Sequence, residues 1–169
     1  MIRVWDPVVR LIHWSVALLA AANFLNEDGA SWHRYGGYLA GALVMARIAW
    51  GCVSRGHARF SRWWPGIGGV LRYARALAAG NAPRFIGINP LGASMALLIW
   101  TLLLLLALSG WMMGLDAFWG EEWLESTHAA IAYSLLACIA AHVSAVIWTS
   151  LRNRENLPLA MLTGKKRDS

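Results

Sequence analysis

Apolar residues fall in four long blocks along this chain, each separated from the next by a segment carrying arginines or acids. The first block, from about Val8 to Leu25, reads VVRLIHWSVALLAAANFL. The second runs from about Trp32 to Val53. The third, from about Leu91 to Leu115, is the purest, with LLIWTLLLLLALSGWMMGL at its heart. The fourth runs from about Thr127 to Leu151. A helix of about 20 apolar residues is long enough to cross a hydrocarbon layer of about 30 Å. The pattern predicts an all-α membrane protein, a four-transmembrane-helix bundle. Residues 1–169 form a single domain with no soluble domain and no long-period repeat. Between the second and third blocks, Ser54–Pro90 contains GVLRYARALAAG. Its Val70, Leu71, Ala74, Leu77 and Ala78 are apolar and its Arg72 and Arg75 polar, which predicts a short helix lying on the membrane surface. Pro65, Pro83 and Pro90 punctuate the rest of that connection.

The first block has a competing reading. Arg3 and Arg10, an apolar run and Ala20–Ala22 resemble a cleavable signal peptide. Against it, Arg10, His13 and Trp14 interrupt the run early, and Phe24 and Leu25 continue it past the alanines. The block is read as a retained span.

Composition supports lipid as the solvent. The chain is 58% hydrophobic and 14% charged, where a soluble domain carries roughly 25% charged residues. Its mean hydropathy is +0.46. The net charge of +6 does not point to nucleic acid, because the arginines lie between apolar spans rather than on one face of a soluble fold. Their placement sets an orientation. Arg3 and Arg10 precede the first span. Arg55, Arg59, Arg62, Arg72, Arg75 and Arg84 lie between the second and third. Arg152, Arg154, Lys165, Lys166 and Arg167 follow the fourth. The other two connections carry Glu27, Asp28, Asp116, Glu121, Glu122 and Glu125, with Arg34 the nearby cation. Basic segments stay cytoplasmic, so both termini are expected inside. The acidic loops are expected outside, in the periplasm of a Gram-negative inner membrane. Trp5, Trp32, Trp50, Trp111, Trp119, Trp123 and Trp148 fall near span ends and read as interfacial anchors. Cys52 and Cys138 read as free thiols, and no C-x-x-C-H motif for covalent haem is present.

Four of the five histidines lie in or at the ends of the spans. Ionisable groups in a membrane are costly and usually functional. His13 sits a few residues into the first span on the inner side, and His33 near the outer end of the second. His128 is near the outer end of the fourth, and His142 lies fourteen residues further inward. At 1.5 Å per residue that separation is about 21 Å, and fourteen residues fall about 40° short of four full turns. His128 and His142 therefore share a broad face, one near each membrane surface. Depth pairs His142 with His13 and His128 with His33. Two neutral imidazoles facing each other are what a six-coordinate haem iron takes as axial ligands. His33, Gly37 and Gly41 form one stripe, and the glycines leave room beside a flat guest. The same G-x-x-x-G also suits plain helix packing. Arg10, one turn before His13, and Arg34, beside His33, are candidate propionate partners. Arg47 and Arg152 could reach the inner side. Positive-inside topology explains most of these cations as well.

Other chemistries fit less well. No Asp or Glu lies within a span, which argues against a cation transporter or proton pump. H-E-x-x-H, a nucleotide-binding glycine loop and a serine elbow are all missing from the sequence. His57, in the arginine-rich connection, is read as no ligand.

The segments VWDPVVRLIHW, HRYGGYLAGALVMARIAWG, SRGHARF, NPLGA, THAAIAYSLLACIAAHVSAV and RENLPLAMLTGKKR resemble the bacterial cytochrome b561 family. That family includes the b-type cytochrome subunits of nickel–iron hydrogenases. The resemblance covers nearly the whole chain, and the His-Trp pair and the fourteen-residue spacing are its most specific elements. It implies that His13, His33, His128 and His142 hold two haem b groups. It also implies electron transfer between the quinone pool and a periplasmic redox protein, such as a c-type cytochrome or a hydrogenase. Some related members are associated with oxidising superoxide and reducing ubiquinone. Relatives often carry a histidine before Asn-Pro-Leu-Gly; this chain has Ile88 there.

Three readings follow: an electron-transfer subunit, a superoxide:quinone oxidoreductase, and a haem-free transporter or assembly factor with structural histidines. The sequence names neither donor nor acceptor. It leaves open whether the protein works alone, as a homodimer or bound to a larger enzyme.

Overall fold

A computed structural model describes residues 1–26, 31–63 and 66–167. Glu27, Asp28 and Pro65, named above, lie outside the described residues. The helices are α1 (Pro7–Leu25), α2 (Ser31–Val53), α3 (Gly66–Ala78), α4 (Pro90–Met112), α5 (Glu122–Asn153) and α6 (Leu157–Thr163). Two short strands, β1 (Ile2–Arg3) and β2 (Lys165–Lys166), pair antiparallel. Among the described residues, α1, α2, α4 and α5 are the four helices long and apolar enough to cross a membrane.

Asx–proline punctuation starts several of these helices. Asp6 Oδ1 accepts from the Val8 and Val9 amides at 2.8 and 3.3 Å, with Pro7 as the first helical residue. Asn89 Oδ1 accepts from Gly92 N at 2.8 Å ahead of Pro90, and Asn156 Oδ1 accepts from Leu159 N at 2.8 Å. Each side-chain oxygen satisfies an amide that the helix cannot, and proline costs nothing where no donor is needed.

Two span boundaries differ from the expected ones. α4 stops at Met112 rather than Leu115, because Gly114 N and Leu115 N bond Trp111 O and Met112 O in tight three-residue turns. α5 begins at Glu122 rather than Thr127. Gly120, at φ +74°, breaks the chain just before it, and Glu122 and Glu125 place negative charge in the first turn. At 32 residues, α5 is about 48 Å long, more than the hydrocarbon layer needs.

The chain divides into two compact units. The first comprises Met1–Arg10, Ala49–Leu97 and Ala140–Ser169. In it, β1 pairs Ile2 with Lys166 and Arg3 with Lys165, and the Val4 and Trp5 amides bond Gly164 O at 2.9 and 3.2 Å. Gly164 ends α6 at φ +80°, and a Cβ there would sit 2.9 Å from Trp5 O, so only glycine lets the N-terminal segment cross so closely. Arg84 Nη2 meets Glu155 Oε1 at 3.0 Å, and Arg152 donates to Gly80 O at 2.9 Å. α3 buries none of its residues, and Ile67 and Leu71 are exposed, as a helix resting on a membrane surface requires.

The second unit comprises Leu11–Ile48 and Leu98–Ile139. Its core is Val44, Leu103 and Leu135, from α2, α4 and α5, with Val16 and Phe24 of α1 packed against it. Helices in lipid associate through close packing rather than water exclusion. Gly41 supplies such an approach: a Cβ there would come within 2.9 Å of Ala107 Cβ. Elsewhere, large apolar side chains remain uncovered, among them Leu98, Leu105 and Leu108 on α4 and Leu136 on α5. Lipid is the solvent that accepts them.

Candidate functional site

The second unit brings His33 and His128 together. His33 stands in the first turn of α2 and His128 in the second turn of α5. Their ring centroids are 6.2 Å apart with planes inclined at 58°. Both residues are half-buried.

Each ring has one nitrogen engaged. His33 Nδ1 lies 2.8 Å from Asn26 O and 3.3 Å from Asn23 O, at the carbonyl end of α1. Carbonyls only accept, so His33 carries its proton on Nδ1. His128 Nδ1 lies 2.8 Å from Ser109 Oγ. His33 thus leaves Nε2 to carry a lone pair, and His128 does the same when its Nδ1 donates to the Ser109 hydroxyl. The Asn23 amide also donates to His33 O at 3.2 Å, tying the end of α1 to the start of α2.

These dimensions suit an axial pair. Two metal–nitrogen bonds of about 2 Å plus two imidazole radii come to about 6 Å. A porphyrin supplies four nitrogens to its iron, so two histidines are the whole protein share. Among the described residues no group of three or more His, Cys, Asp or Glu is placed to hold a metal ion by itself. The residues present fit haem better than a bare metal ion.

The remaining histidines lie elsewhere. His13, on α1 in the second unit, packs edge-on against Trp14, centroids 5.1 Å apart at 89°. His142, on α5, belongs to the first unit. Both are half-buried. His57 is exposed, with Cδ2 3.2 Å from where a Gly87 Cβ would stand.

The structure gives local partners to the other candidate residues. Arg10 Nη1 donates to Thr163 O at 3.3 Å, at the carbonyl end of α6. Arg34 is exposed, and its Nη2 lies 3.1 Å from where a Gly114 Cβ would be, at the end of α4. A cation is favourable at the carbonyl end of a helix. Gly37 faces the Asn23 amide, 3.5 Å from its would-be Cβ, and Gly41 faces Ala107. Both glycines therefore have a packing reason, the second of the two uses the sequence allowed. Arg47 is buried with its guanidinium 5.3 Å from the centre of the Trp100 ring, and Arg152 lies over Trp148. Of the expected interfacial tryptophans, Trp32, Trp111, Trp119, Trp123 and Trp148 are exposed. Trp5 instead lies against Lys166 in the first unit.

Sequence reasoning missed Ser109, Asn23 and Asn26. Depth was the available signal for Ser109, a hydroxyl three residues from the end of the most apolar span and on the same side as His33 and His128. Asn23 and Asn26 act through main-chain oxygens, which no residue type announces.

A family model described as prokaryotic cytochrome b561 matches residues 4–164. No curated protein and no solved structure matches the chain.

Proposed function

The chain belongs to the prokaryotic cytochrome b561 family, multi-pass inner-membrane proteins that carry electrons on b-type haem, and from that premise we propose two haems, each between two histidines. His33 and His128 hold one. His13 and His142, matched by depth along α1 and α5, hold the other. Bound haem iron supplies the one-electron chemistry. The contacts at Nδ1 hold His33 and His128 in the tautomer that offers Nε2, and His128 and His142 lie about 20 Å apart along α5. Electrons move between the quinone pool and a redox protein outside the cytoplasm, of the c-type cytochrome or hydrogenase kind.

One observation carries this reading. His33 and His128 face each other at 6.2 Å with both Nδ1 atoms already engaged. The charge distribution supports the direction of insertion. Thirteen of the fifteen Lys and Arg residues lie in the first unit, and six of the nine acids in the second. We take the first unit to be cytoplasmic. Asp116, Glu121, Glu122 and Glu125 are exposed, and they would steer a basic partner to the outer face.

Reduced-minus-oxidised spectra of the wild type and the four His→Ala variants test the assignment. The wild type should show two low-spin b haems. His33→Ala and His128→Ala should lose one of them, and His13→Ala and His142→Ala the other. If all four variants keep both haems, the assignment is wrong. A superoxide:quinone oxidoreductase is the second reading. Arg34 supports it, being exposed beside His33, while the acids nearby repel an anion. Reduction of the oxidised protein by superoxide, lost in Arg34→Glu, would favour it.

A further inference from the structure

Hydroxyl side chains on these helices commonly turn back on their own backbone. Ser94, Thr127 and Ser134 each lie within hydrogen-bond distance of the carbonyl four residues earlier. Such bonds are a local habit of serine and threonine in helices and imply no function. Ser109 makes the same bond, Oγ to Leu105 O at 2.8 Å, but its oxygen also lies 2.8 Å from His128 Nδ1.

Proton counting narrows the roles to two. The Ser109 hydroxyl has one proton, and a carbonyl can only accept it. Either the proton goes to His128 Nδ1, which would leave the ring protonated on Nε2 and unable to bind iron there, or it goes to Leu105 O or to Leu106 O at 3.2 Å and the oxygen presents a lone pair to the ring. The axial-pair reading takes the second. His128 must then donate from Nδ1, which makes Nε2 its basic nitrogen. The hydroxyl is well shielded, since Ser109 is only 6% exposed. The neighbouring Gly110 also approaches the ring, its would-be Cβ 3.5 Å from His128 Cε1.

We propose that Ser109 is a positioning residue for a haem site, acting through His128 rather than touching the iron. It fixes the tautomer and rotation of the ring, and by accepting the Nδ1 proton's hydrogen bond it makes Nε2 a stronger donor. The proposal rests on the reading of His33 and His128 as an axial pair. It goes beyond that reading by placing control of one haem's potential on a third helix, α4, that supplies neither ligand. The partner ligand is held differently, by main-chain carbonyls of Asn23 and Asn26, so a side-chain change at Ser109 acts on one ligand alone. Groups that orient a metal-binding histidine in this way typically change metal affinity about 10–100-fold when removed. A stronger donor favours the more positive, oxidised iron, so losing the hydroxyl should raise the midpoint potential.

The test compares full-length wild type, Ser109→Ala, Ser109→Thr and His128→Ala by redox titration and by electron paramagnetic resonance of the oxidised protein. Ser109→Ala should raise the midpoint of one haem, leave the other unmoved and alter one low-spin signal. Ser109→Thr, which keeps the hydroxyl, should return both readouts to wild type. If Ser109→Ala loses the haem outright while Ser109→Thr keeps it, the hydroxyl is again responsible. The proposal is overturned if Ser109→Ala titrates as wild type, if both haems shift together, or if Ser109→Thr behaves like Ser109→Ala. Retention of both haems by His128→Ala would instead remove the axial-pair reading on which the proposal stands. Loss of one haem there, with Ser109→Ala silent, removes the proposal alone.

Discussion

Lys166 is only 5% exposed and Glu155 8%, in a chain whose other terminal charges mostly face outward. The Lys166 ammonium lies 5.7 Å from the centre of the Trp5 ring. Burial holds its pKa below the ordinary lysine range; the Glu155 carboxylate partly restores it, and Arg84 lowers it further. Between that lowered value and the ordinary one, the unfolded chain binds more protons than the folded chain. Stability of this region therefore rises with pH across that window. Proteolytic release of the N-terminal segment should slow as pH rises toward the ordinary lysine pKa, relative to a Lys166→Met variant, in which the slope disappears. Equal pH dependence in both proteins would refute the account. The same scale shows what sequence can reveal of a site. Four histidines stood out because spans so seldom contain them. The oxygens that orient two of those histidines did not, because a serine and two carbonyls have no unusual residue type to betray them.

Helices were legible in proportion to their length. The four spans could be read from apolar runs of about 20 residues, and α3 from its alternation of arginines with apolar positions. α6 is seven residues long and β1 and β2 two each, too short for any periodicity to register. What does mark α6 is its punctuation, Asn156 and Pro158 at its start and Gly164 at its end, which gains meaning only once the helix is known to form. The Asn156 cap bonds Leu159 N, and loss of such a cap costs about 0.5–2 kcal/mol. Asn156→Ala should therefore speed amide exchange in residues 157–163 while leaving α5 protected. Unchanged exchange in α6 would show that packing, not the cap, sets its stability.

At the scale of the whole molecule, the contact pattern and the charge pattern partition the chain alike, with the cations gathered in the first unit and most acids in the second. Cys52 offers a native probe of the orientation this implies. It is exposed in the last turn of α2, within the first unit. A membrane-impermeant thiol reagent should label it in inverted vesicles and leave it unmodified in right-side-out spheroplasts, with Cys52→Ser as the control. Labelling from the outside would reverse the topology.

The pairing of β1 with β2 also sets an order of events during biosynthesis. Ile2 and Arg3 leave the ribosome more than 150 residues ahead of Lys165 and Lys166. The opening segment must therefore wait, unpaired, until all four spans have been threaded into the bilayer and the last turn of α6 has cleared the exit tunnel. Only then can Gly164 accept from Val4 and Trp5. The clip is in this sense a latch that closes only after the fourth span and α6 are made, and a nascent chain stalled after α5 would leave the segment around Ile2 and Arg3 loose and open to proteases.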